Sequence, residues 1–116
     1  MRYRGEGIPH FATDRDICTF FEVVLGVEWI DDIAKSKGSA TSDTMFSRHL
    51  REALDYLLRE RPVTAKQWGQ LNHVFFYEDD RLYAYLQDLH DYFYGDRQEP
   101  PEAPDPEAPP PDWYWE

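Results

Sequence analysis

The chain reads as all-α, a small bundle of four to five helices followed by a Pro-rich acidic C-terminal tail, and three features carry that expectation. Apolar residues recur every three or four positions through separate stretches between residues 13 and 95, the period of a helix with one buried face. No alternating strand pattern of useful length interrupts them. Seven of the nine prolines fall between Pro100 and Pro111, where proline removes backbone donors and holds the chain toward polyproline II. A length of 116 residues suits one compact domain, assigned to residues 1–97, with 98–116 as an extended acidic tail bearing an aromatic tip.

Thr13 and Asp16 have the form of a capping pair, and Ile17, Phe20, Phe21, Val24 and Leu25 follow at helical spacing. Gly26 either ends this helix or is bridged by a continuation through Ile30, Ile33 and Ala34 to Lys37; a break or bend there is favoured. The run "KGSATSD" is expected to be a loop, with Ser42 as N-cap of the next helix. That helix carries the clearest stripe, Phe46, Leu50, Ala53, Leu54, Leu57 and Leu58, and should stop at Arg61 before Pro62. Arg48 with Glu52 and Asp55 with Arg59 fall four apart on its wet side, as helical ion pairs.

Thr64 and Gln67 make a second capping pair, opening a helix with Trp68, Leu71, Val74 and Phe75. Glu78, Asp79 and Asp80 favour the positive end of a further helix, whose buried row is Leu82, Leu86, Leu89 and Phe93 and whose end is Gly95.

Charge narrows the partner. Twenty-three acidic residues against twelve basic give a net charge of −11, so direct nucleic-acid binding is not expected, because phosphate contacts need clustered Lys and Arg. The order helix, turn, helix around "LLRERPVTAKQW" does not change that, because its second helix offers only Lys66 to a backbone. A basic protein is the natural complement, such as a nuclease or a nucleic-acid-binding protein. The most apolar stretch, "ICTFFEVVLGVEWI", is cut by Glu22 and Glu28 and too short for a membrane span. One cysteine, Cys18, and no apolar leader point to the cytoplasm. Oligomeric state is not encoded legibly.

Chemistry is sparse. Cys18 sits beside an apolar face and reads as a small hydrophobe; no serine occupies a G-x-S-x-G elbow. His10, His49, His73 and His90 lie on different elements without H-E-x-x-H or Glu-x-x-His spacing. No catalytic residue, metal ligand or cofactor is therefore assigned, and the chain is not expected to be an enzyme.

Binding residues are expected instead. Tyr83, Tyr85, Tyr92 and Tyr94 interleave with Asp88 and Asp91; packing is the first explanation for them, and an aromatic contact face the second. The tail carries six of the excess acids, and Asp112, Trp113, Tyr114 and Trp115 crowd its tip. Its prolines reduce the entropy lost on docking, so the tail is a spacer with an anchor, reaching roughly 40 Å or settling back on the bundle. The expected contact set is Trp113, Tyr114, Trp115, Asp112, Asp88, Asp91, Tyr92, Glu78, Asp79 and Asp80. Acidic helical inhibitors, such as immunity proteins and DNA mimics, combine charge steering with aromatic grip in this way. A structural or assembly component that self-associates through the tail is the rival expectation.

Overall fold

A computed structural model of the chain describes residues 3–105 and 107–115. Among them every regular element is helical: α1 (Arg15–Thr19) runs into a π-helical turn (Phe20–Val24), a 3-10 helix (Ile30–Ser36) leads into α2 (Lys37–Thr41), and α3 (Met45–Glu60), α4 (Ala65–Asn72) and α5 (Asp79–Tyr94) follow. A last 3-10 turn spans Asp112–Trp115. None of these helices is long and apolar enough to cross a membrane.

Side-chain chemistry sets most helix ends. Asp14, rather than Thr13, caps α1 by accepting from the Asp16 amide. Thr44, rather than Ser42, caps α3 through the Ser47 amide. Thr64 and Gln67 make a reciprocal capping box on α4, which satisfies two otherwise orphaned amides. Two helices stop on non-glycine residues in the left-handed region, Arg61 at φ 49° and His73 at φ 61°. Gly95 does end α5, with φ −116° rather than a left-handed cap.

The "KGSAT" stretch is helical, not a loop. Ala40 is fully buried, and the hydroxyls of Thr41 and Ser42 turn back to the carbonyls of Lys37 and Gly38 at 2.8 and 2.6 Å. Tertiary burial here overrides the poor helix propensity of Gly, Ser and Thr. The break near Gly26 does occur. Leu25 donates to Phe20 in the wide-turn pattern, which drives both Phe20 and Phe21 into the core. A Cβ on Gly26 would sit 2.8 Å from the Glu22 carbonyl, so the tight exit requires glycine.

The core is one cluster. Trp68 packs edge-on against Phe21 at 6.0 Å, and Leu50, Leu54 and Leu57 of α3 meet Leu82, Leu86 and Leu89 of α5, all inaccessible to solvent. Tyr3, Ile8 and Phe11 of the N-terminal segment join it. Asn72 is buried among them, donating to the Phe21 carbonyl and accepting from the Val74 amide.

The tail does not project. Pro101 and Pro111 are buried, Ala103 and Trp113 pack on the core, and the longest dimension of the molecule is 42 Å with a radius of gyration of 13.4 Å. That radius is about what a compact chain of this length has.

Candidate functional site

The tail's return creates a cleft. Its base is α5, with Arg81, Ala84, Tyr85 and Asp88; one wall is the extended segment after α4, with Phe75, Phe76 and Tyr77. The left-handed turn at His73 starts that segment, so Val74 and Phe75 leave α4 instead of completing its buried face. The chain after Gly26 supplies Val27, Ile30 and Asp31, and the tail closes the remaining side with Glu102, Asp105, Pro109 and Tyr114. The cleft volume is about 780 Å³, within the size range of small-ligand and side-chain sites.

Specific contacts hold the tail in place. The Tyr77 hydroxyl donates to the Pro109 carbonyl at 2.5 Å. Phe75 receives Trp113 and Tyr114 edge-on at 6.0 and 5.1 Å. Gly69 of α4 permits this approach, since a Cβ there would lie 3.0 Å from the Trp113 ring.

Charge and polarity inside the cleft are one-sided. Among the described residues that line it are four carboxylates, Asp31, Asp88, Glu102 and Asp105, against one guanidinium, Arg81. The Tyr85 hydroxyl is buried with no hydrogen-bond partner among the described residues. Burial, assisted by the Asp31 charge, raises its pKa far above the usual phenol value, so it stays a neutral donor.

The expected contact residues divide. Tyr114 and Asp88 border the cleft, Asp88 lying 3.8 Å from Arg97. Trp113 is the tail's anchor on the bundle, its indole N–H buried with no partner among the described residues. Asp112 is exposed at the start of the final turn, while the side chain of Trp115 lies outside the described residues. Tyr92 is a core residue, 6% exposed, with the Lys37 ammonium 4.3 Å above its ring. Asp91 accepts from Gln87. Asp79 accepts from the Ala65 amide at 2.7 Å and Asp80 pairs with Arg61 at 3.0 Å; these two acids tie the start of α5 to the α3–α4 connection. Glu78 is exposed at the cap position of α5 without a side-chain capping bond.

Sequence reasoning missed Asp31, Glu102 and Asp105, because the turn after Gly26 brings the first to α5 and the tail's return brings the other two. On α3 the expected partners are exchanged for others: Arg48 meets Asp43 just before the helix, while Glu52 meets His10 and Asp55 meets His90 across the fold. Cys18 is partly buried against the core, and burial beside Glu22 pushes its thiol pKa up, away from nucleophilic character. Comparison of the chain with protein-family models, with curated proteins and with solved structures gives no match.

Proposed function

We propose that this chain is a non-enzymatic acidic binding protein that inhibits or escorts a basic protein in the cytoplasm, as an immunity protein or a DNA mimic does. It holds its partner by taking a lysine or arginine side chain into the cleft beside α5. One observation carries this: four carboxylates and the rings of Phe75, Phe76, Tyr77, Tyr85 and Tyr114 border the same cavity as a single guanidinium. Aromatic faces attract cations, and the carboxylates beside them supply the opposite charge. The net charge of −11 speeds encounter with a positive surface.

Titration of the full chain with an arginine-rich peptide, at low and high salt, tests the proposal. Binding should slow severalfold with added salt, and the double substitution Asp31→Asn with Asp88→Asn should weaken it severalfold. Truncation after Arg97, which removes Glu102, Asp105 and Tyr114, should weaken it further. Equal binding by all three chains would overturn the assignment of the cleft, and failure to prefer the basic peptide over an acidic one would overturn the class of partner.

A second reading rests on the contacts of Trp113 with Phe75 and of Pro109 with Tyr77. The same segment of a neighbouring copy would satisfy them, giving an assembly by exchanged tails. Light scattering separates the two, since exchange produces a concentration-dependent dimer that truncation abolishes.

A further inference from the structure

The N-terminal turn and α3 meet at a cluster that the cleft does not use. His10 and His49 stack with ring centroids 3.7 Å apart and planes 10° from parallel. Glu52 reaches His10 Nε2 at 3.3 Å. His49 and Glu52 are three apart on α3, so one turn of helix presents both on the same face. His10 is brought to them by its own backbone, at φ 66°, in a turn closed by the Asp14 amide donating to the His10 carbonyl at 2.8 Å.

We propose that His10, His49 and Glu52 form a binding site for a divalent transition-metal ion of the zinc type. One donor atom from each of the three lies within 4.8 Å of the others. Two imidazoles and a carboxylate are a donor set that zinc accepts with a fourth position left for water, whereas calcium and magnesium prefer oxygen alone. All three side chains are at least partly accessible, so an ion can enter.

Asp14 supplies the feature that distinguishes this cluster from a chance encounter of surface histidines. Its Oδ2 lies 2.7 Å from His49 Nδ1, while its Oδ1 caps α1. A carboxylate on Nδ1 fixes the imidazole so that Nε2 keeps its lone pair, the outer arrangement that orients metal-binding histidines. His90 also meets a carboxylate, Asp55, at 2.7 Å, but no third donor of this kind joins it among the described residues.

Binding requires movement, and the His10 and Glu52 side chains, 29% and 60% exposed, have room for it. Donor atoms about 2.0–2.1 Å from one zinc ion stand a little over 3 Å apart, so the three must draw together. The His10 ring must also swing out of its stack on His49, which Asp14 holds, so that both lone pairs point at one centre. The ion would then join the N-terminal turn to α3, the role of a structural clip.

The test uses the full chain, freed of metal, titrated with zinc by calorimetry and with cobalt by visible absorption. One equivalent should bind, and the cobalt complex should show the intense visible bands of a low-coordinate site. Glu52→Gln, at an exposed position, should lower zinc affinity at least tenfold without altering the helical circular dichroism. Asp14→Asn should lower it about 10–100-fold, and His90→Ala should leave it unchanged. No saturable zinc binding, or zinc affinity in the Glu52→Gln and His10→Ala chains equal to that of the unaltered chain, would overturn the site.

Discussion

Asn72 shows how one side chain can decide the geometry around a site. It is 2% exposed, and its amide connects the π-helical turn to the cleft-forming segment by bonding the Phe21 carbonyl at 3.2 Å and the Val74 amide at 3.1 Å. Replacing it by alanine leaves two buried backbone groups without partners, at about 1–3 kcal/mol each. Asn72→Ala should therefore lower stability by about 2–6 kcal/mol, seen as a reduced urea midpoint with an unchanged slope; a loss below about 1 kcal/mol would mean the groups find other partners. Asn72 was not singled out from the sequence, because an asparagine near a helix end is ordinary there and its burial depends on Phe21, 51 positions away. The same limit applies to the cluster around His49. The His-x-x-Glu spacing of His49 and Glu52 is visible in the sequence, but nothing in it brings His10 alongside.

Where helices are amphipathic and capped, local chemistry and tertiary packing agree, and these elements were legible. The stripe of α3, the capping box of α4 and the acidic start of α5 all fall where periodicity and capping residues place them. α2 was not legible, since it is made of poor helix formers and held by Ala40, whose carbonyl also accepts from the buried Ser47 hydroxyl at 2.6 Å. The N-terminal segment has no periodicity, yet it buries Tyr3, Ile8 and Phe11. Thr64 offers the clearest test of an individual element. Thr64→Ala removes one side of the capping box and should cost about 1 kcal/mol, read from thermal or urea unfolding. Since α4 delivers the chain to the cleft wall through His73, the same substitution should increase hydrogen exchange of the α4 amides more than that of α5.

At the level of the whole molecule, burial of aromatic hydroxyls couples stability to alkaline pH. Tyr3, Tyr83, Tyr85 and Tyr94 all have phenol pKa values raised, and burial is the largest cause in each case. Tyr94 is pushed up to about 12, although the Arg51 guanidinium above its ring works in the other direction. Tyr83 is held by both the amide and the carbonyl of Val63. In the unfolded chain these phenols ionise near 10.0, so above that pH the unfolded state binds fewer protons than the folded state. The contribution of the four is then complete below pH 10 and is lost as pH rises through the folded values. A chain already carrying −11 gains further self-repulsion with each phenolate. The helical circular dichroism should therefore collapse cooperatively above pH 10, with a steep rise in phenolate absorbance over the same interval. Because the four hydroxyls lie in the N-terminal segment and along α5, ionisation opens the core at both places rather than fraying one end. Phenolate absorbance that rose fully around pH 10 with the helices intact would show that these rings are open to solvent.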